Sequence, residues 1–242
     1  VFNLSALAFP ENILGENGLF VLKELGRSPL AKEFYLAGGT GLAMQIKHRR
    51  SLDLDFFQKK LDEKIRFKPI SDYLEAAFKP AKLLFKQVDQ SSWIVNGVNV
   101  TFLAYPFASV YPLVPGETID KSLSGITLAS PQEIALMKAY SIGRRATARD
   151  YLDLYFLLSG GIISIKEIIQ KATAKFKTGN EPLFSSRLFL EQLVYTDDLE
   201  DRDIPVETLS ASKIRFADIE AYLSSAVQEY LENKNMTGGG LQ

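Results

Sequence analysis

The stretch SLDLDFF, residues 51–57, constrains this chain more than any other. Its alternation predicts a strand with Asp53 and Asp55 on one face and Leu52, Leu54 and Phe56 on the other. Aspartate is disfavoured in strands. Two on one face stand about 6–7 Å apart at Cα, and they repel unless a cation lies between them. Mg²⁺ resolves the conflict, because it is held by one or two carboxylates together with substrate phosphates. A surface strand with two solvated aspartates is the plainer alternative.

Upstream, EFYLAGG reads as a short strand ending at Gly38-Gly39. Paired glycines let backbone approach a ligand closely. Thr40 is placed to cap a helix through GLAMQIKHR, with Leu42, Ala43 and Ile46 on its apolar side. The free N–H groups at such a helix start suit a phosphate. A Gly-Gly turn alone is most often just a tight turn. Followed by an Asp-x-Asp strand, it makes a phosphate cradle facing a metal site.

The bulk properties exclude several chemistries. The net charge of -1 over 242 residues gives no global basic field for nucleic acid. No cysteine is present, so disulfides and thiolate metal sites are excluded, and a reducing, cytoplasmic setting is the expectation. The single His48 rules out multi-histidine zinc sites. No apolar run approaches the roughly 20 residues that span a bilayer, and no signal peptide is evident. We therefore expect no membrane association.

Along the rest of the chain, PISDYLEAAF reads as a short helix, and AKLLFKQV and SSWIVNGVNVTFLAYP as strands. Asn96-Gly97 between two β-rich runs is a strong hairpin signal. A connector runs from Tyr111 to Ser130. Ser130-Pro131-Gln132-Glu133 then reads as a capping box opening a helix. A second helix starts near Arg149-Asp150 and stops at Gly160-Gly161; a third starts at Ser164; the segment Ser212 to Glu232 is also helical. The acidic YTDDLEDRD within residues 180–210 reads as a solvated loop. The expected fold class is α+β: an α/β core with a mixed sheet over 1–115, a helical half over 128–234, and a flexible tail over 235–242.

The run AGGTGLAMQIKHRRSLDLDFF resembles the first motif of the DNA polymerase β-like nucleotidyltransferase superfamily, a glycine turn followed by Asp-x-Asp. The form LAGGTxLA…HRRSxDLDFF is similar to one branch, the AbiEii/AbiGii toxins of abortive-infection and toxin–antitoxin systems. LMKAYSIGRRATARDYLDLYFLL resembles that branch's later motifs, a lysine on one helix and RDxxDL on the next. The resemblance covers about Phe34 to Leu158.

By position, it implies that Gly38, Gly39 and Thr40 contact the triphosphate of an NTP and that Asp53 and Asp55 hold Mg²⁺. Lys138 would neutralise phosphate charge, and Asp150 would match the family's late acidic residue. Arg50 and Arg149 are candidate nucleotide contacts. Plainer roles stand beside these. Lys138 could be a solvated helix residue, Arg144, Arg145 and Arg149 an exposed basic face, Asp150 a first-turn acid, and Asp153 an arginine's partner. His48, Arg49 and Arg50 suit a structural or substrate-side role better than a metal.

One departure stands out. Two-metal members carry a third carboxylate on a neighbouring strand, and the matching position in GVNVTFLAYPF is Thr101. The resemblance implies an enzyme moving a nucleoside monophosphate from an NTP to an acceptor such as an RNA (tRNA) 3′ end. It also implies a toxin role, neutralised by a separately encoded antitoxin. The alternatives are transfer onto protein or a small molecule, or a catalytically degenerate nucleotide-binding regulator.

Overall fold

The computed structural model describes residues 8–61, 64–145, 147–199, 201, 208–209 and 214–236. The chain forms two compact units, Val1–Ile134 and Ala135–Gln242. The first is built on a seven-stranded mixed sheet. Its strands are β1 (Phe34–Leu36), β2 (Leu54–Gln58), β3 (Ala81–Lys86), β4 (Gln90–Val95), β5 (Val98–Leu103), β6 (Val114–Pro115) and β7 (Thr127–Leu128), in the spatial order β3-β4-β5-β2-β1-β7-β6. β2 runs antiparallel to β1 and parallel to β5. The connector expected between Tyr111 and Ser130 thus contributes two sheet strands, whose short apolar runs are completed by pairing with each other and with β1.

The alternation in β2 holds from Leu54 onward, where Leu54, Phe56 and Gln58 are buried. It fails at Leu52, which is 53% exposed. The chain enters the sheet only at Leu54, so the period of two has no pleat to act on before it. The buried face is aromatic: Phe102 packs on Phe34 at 5.1 Å and on Phe56 at 5.5 Å between ring centroids. Helix α4 (Phe67–Ala77) covers the same side of the sheet farther out, stacking Phe67 on Trp93 at 5.8 Å. Asn96 (φ 48°) and Gly97 (φ 80°) form the two-residue turn of the β4–β5 hairpin, as their tolerance of positive φ predicts.

Helices α1 (Glu11–Gly26), α2 (Leu30–Glu33) and α3 (Gly38–Ile46) complete the first unit. Thr40 does not cap α3. The helix begins at Gly38, and Thr40 lies inside it, 1% exposed. Its hydroxyl donates to the Asp53 carbonyl and is hydrogen-bonded to Ser51 Oγ (2.8 Å) instead.

Helix α5 (Pro131–Ile142) begins as read, with Ser130 Oγ accepting from Glu133 N–H at 3.3 Å. The Glu133 carboxylate, fully buried, turns away from that cap. It accepts the N–H groups of Val110 (2.9 Å) and Tyr111 (3.1 Å). A loop with two orphan donors outcompetes a local cap that water could replace.

The second unit is helical: α6 (Ala148–Ser159), α7 (Ile165–Lys175), α8 (Ser186–Val194) and α9 (Phe216–Met236), with a small hairpin of β8 (Lys177–Thr178) and β9 (Glu181–Pro182). Gly160 and Ser164 act as the stop and start expected of them. Residues 180–210, whose role the sequence leaves open, are not all loop: they include helix α8. Ser185 caps it, and Phe189, Leu190 and Leu193 form its buried stripe. The acidic run is not fully solvated either, since Asp201 Oδ1 accepts the Ala148 N–H at the start of α6 (2.8 Å). The helical segment expected from Ser212 begins at Phe216 among the described residues; Ser212 and residues 237–242 lie outside them.

Candidate active site

The glycine turn and the aspartate strand meet in the first unit. β1 and β2 are antiparallel neighbours, and the Ala37 N–H donates to the Asp55 carbonyl at 2.9 Å. The chain then turns at Gly38 with φ +61°. A Cβ there would stand 2.6 Å from Asp55 Oδ2 and 3.3 Å from Asp55 Cβ. Glycine is required twice at this position, for the left-handed backbone and for the carboxylate pressed against it. The first-turn N–H groups of α3 have no acceptor within the helix, so a carboxylate adjoins an anion-binding helix start. The turn therefore sets a metal-ligand type of side chain next to a phosphate-binding type of backbone.

Asp53 and Asp55 are both half-buried. Asn99 on β5 donates from Nδ2 to Asp53 Oδ1 at 3.0 Å. Asp55 pairs with Thr101 across β2 and β5. The position that the resemblance matches to a third carboxylate is thus a threonine paired with Asp55. Thr101 Oγ1 in turn lies 3.3 Å from Ser92 Oγ on β4. Among the described residues no group of three or more histidine, aspartate or glutamate side chains is placed to hold a metal ion. A hard divalent ion would draw on two carboxylates and on substrate oxygens, and the donor set fits Mg²⁺ on those terms.

Arg49, which the sequence groups with His48 and Arg50 as structural or substrate-side, lies at this turn. Arg49 is 3% exposed, and its Nη2 would lie 2.1 Å from a Cβ on Gly39. Its Nη1 donates to the Arg50 carbonyl at 2.9 Å. A guanidinium thus packs against the outer side of the turn, while Arg50 itself is half-buried. Asn99 and Thr101 could have been found from the sequence, because the period of two in β5 sets them on one face. For Arg49 the sequence shows the basic run His48-Arg49-Arg50 but not which of its members packs on the turn.

Lys138 and Asp150 come together in the helical unit. Lys138 Nζ lies 2.5 Å from Asp150 Oδ1 and 2.7 Å from Asp153 Oδ2. The lysine and Asp150 side chains are 11% exposed and that of Asp153 is fully buried. Asp150 Oδ2 accepts from the Thr147 N–H (3.2 Å) and hydroxyl (3.0 Å), the first-turn role open to it from sequence. Asp153 partners the lysine. Arg144 lies over the Tyr140 ring at 3.6 Å and donates to the carbonyls of Tyr140 and Leu183, both at 3.0 Å, so it is structural. Arg145 and Arg149 are exposed.

Known proteins share this fold. MenT4, a nucleotidyltransferase toxin of Mycobacterium tuberculosis H37Rv, is similar with a TM-score of 0.55 and 14% identity, over 88% of this chain and 84% of that one. JHP933 of Helicobacter pylori is similar at a TM-score of 0.50 and 16% identity, over 93% and 97% of the two chains. At such identities the likeness speaks for the fold alone. In sequence, the chain is 28% identical over 207 residues to an uncharacterised protein of Aquifex aeolicus (strain VF5), covering 84% of this chain and 91% of the relative. The family model for the nucleotidyltransferase AbiEii toxins of type IV toxin–antitoxin systems matches residues 21–233. With the glycine turn, the paired aspartates and a match that runs through both units, the chain belongs to the AbiEii nucleotidyltransferase toxin family.

Proposed function

We propose that this protein transfers a nucleoside monophosphate from an NTP to a hydroxyl acceptor, and that the acceptor is an RNA 3′ end such as that of tRNA. The observation that carries the reading is the contact between Gly38 and Asp55, which sets a helix N-terminus and a carboxylate against each other. Gly38, Gly39 and Thr40 would present N–H groups to the triphosphate. Asp53 and Asp55 would hold Mg²⁺, which when bound neutralises charge on the phosphates. Asn99 fixes one carboxylate, and Thr40 fixes the strand entry through the Asp53 carbonyl. The acceptor oxygen forms a bond to the α-phosphorus while the bond from that phosphorus to the bridging oxygen breaks. Pyrophosphate leaves with the electron pair, and the hydroxyl proton passes to solvent, since Thr101 offers no base at neutral pH.

The resemblance gives Lys138 and Asp150 roles at the phosphates. Their mutual contact supports a different reading, in which they join α5 to α6. A phosphate contact would have the ammonium shared between phosphate and the two carboxylates it already meets. Arg50 and Arg149 stay candidate contacts to the nucleotide. The family's system implies a separately encoded antitoxin as partner, and no helix among the described residues is long and apolar enough to cross a membrane.

The test incubates four labelled NTPs separately with RNA, cell protein and small metabolites. Wild type should label RNA, and Asp53→Ala and Asp55→Ala should each abolish labelling while the far-ultraviolet dichroism is unchanged. Equal labelling by the variants would reject the site; label in protein or metabolites alone would reassign the acceptor.

A further inference from the structure

A row of paired residues leads from Asp55 across the sheet and ends on an exposed aromatic ring. Asp55 pairs with Thr101, Thr101 with Ser92, and Ser92 with Phe85 on the edge strand β3. Residues paired across neighbouring strands share a face. Phe85 therefore stands on the carboxylate face, three strand spacings or about 14 Å from Asp55. It is 42% exposed. Beside this row, Asn99, which holds Asp53, pairs with Ile94, and Ile94 pairs with the exposed Lys82.

A bulge aims the ring. The β3–β4 register shifts between Leu83 and Phe85. Leu83 pairs with Trp93, whose ring packs on Phe67 of α4. In a regular strand Phe85 would follow Leu83 onto that helix-covered face. The extra residue turns it to the other face, and bulges beside active sites commonly re-aim a side chain in this way. Of the lysines along β3, Lys82 stands on the carboxylate face, while Lys86 lies over the Phe67 ring on the other.

In-line displacement at phosphorus sets the attacking oxygen opposite the leaving group. With pyrophosphate leaving at the Gly38 turn, on the β1 side of Asp55, the acceptor must arrive over β5, β4 and β3. We propose that Phe85 and Lys82 are positioning residues for the acceptor, a single-stranded RNA 3′ end, with a base stacked on Phe85 and a backbone phosphate at Lys82. Aromatic platforms with adjacent cations hold single strands in this manner. The inference rests on the transfer reading above for the direction of approach.

The test measures fluorescence anisotropy of a labelled single-stranded RNA oligomer, and separately the binding of a non-hydrolysable NTP analogue with Mg²⁺. Phe85→Ala and Phe85→Leu should weaken RNA binding about tenfold or more, and Phe85→Trp should retain it. Lys82→Ala should reduce the dependence of log affinity on log salt by about 0.7. None should change NTP binding. RNA binding untouched in Phe85→Leu, weakened NTP binding, or a wild type that binds no RNA would each overturn the platform; the first would leave β3 as a surface for a protein partner. If RNA transfer occurs while Phe85→Leu binds RNA normally, the platform fails and the transfer reading survives. If RNA binds through Phe85 without transfer, the reverse holds.

Discussion

Replacing Gly38 by alanine puts a methyl group where the carboxylate of Asp55 stands. Two penalties arise, and the structure separates them. The first is backbone: φ +61° lies in the left-handed region, which costs a side-chain-bearing residue about 1–2 kcal/mol. The second is contact: the new Cβ would be 2.6 Å from Asp55 Oδ2, well inside ordinary van der Waals distance. Carboxylate or helix start must give by roughly 0.5–1 Å, and displacements of that order at a reacting centre cost up to about 100-fold in rate. Gly97 isolates the first penalty. It has φ +80°, and nothing lies within 4 Å of a Cβ built there. Gly97→Ala should therefore lower the melting temperature by a few degrees and leave transfer intact. Gly38→Ala should lose at least as much stability and, in addition, about 10- to 100-fold in kcat. The assay is transfer of labelled nucleotide under saturating NTP, with thermal unfolding followed in parallel. Equal kcat in the two variants would refute a functional role for the contact between Gly38 and Asp55.

Further outcomes can be checked independently. Lys138→Met leaves Asp150 and Asp153 without their shared buried cation, and should cost about 3–5 kcal/mol in urea unfolding; transfer lost at unchanged stability would instead assign Lys138 to the chemistry. Thr40→Val removes the hydroxyl that binds the Asp53 carbonyl and Ser51; stability should fall by about 1–3 kcal/mol and the Mg²⁺ concentration needed for half-maximal transfer should rise. Burial first, and the Glu133 carboxylate second, hold the Tyr35 phenol above its ordinary range. The folded state thus keeps a proton that the unfolded chain releases near pH 10. The stability this provides is complete below that pH and is lost as pH rises, by about 1.4 kcal/mol per unit. Tyr35→Phe should flatten the alkaline loss by about that slope, and an unchanged slope would contradict the assignment.

The features carried by local chemistry were legible in the sequence. Asn96-Gly97 makes its hairpin because both residues accept positive φ, and Asp53 and Asp55 flank a strand start because their neighbours alternate. What escaped were side chains whose partners lie far along the chain. Thr40 and Glu133 both read as caps in the sequence, which displays the nearby N–H groups and hides distant partners. One binds the Asp53 carbonyl and the other the N–H groups of Val110 and Tyr111. The contact of Arg49 with the Gly39 turn is hidden for the same reason. Helix α8 was masked by the acidic run after it, although Ser185 and its apolar stripe signal it. The bulge in β3 had no signature: AKLLFK alternates too weakly to show where an extra residue enters.

The most direct measurement is a calorimetric titration of a non-hydrolysable NTP analogue, with and without Mg²⁺, into the wild type, Asp53→Asn and Asp55→Asn. If the two carboxylates hold the ion against the triphosphate, Mg²⁺ strengthens binding in the wild type and leaves it unchanged in both variants. Binding that responds to Mg²⁺ equally in all three proteins would contradict that claim.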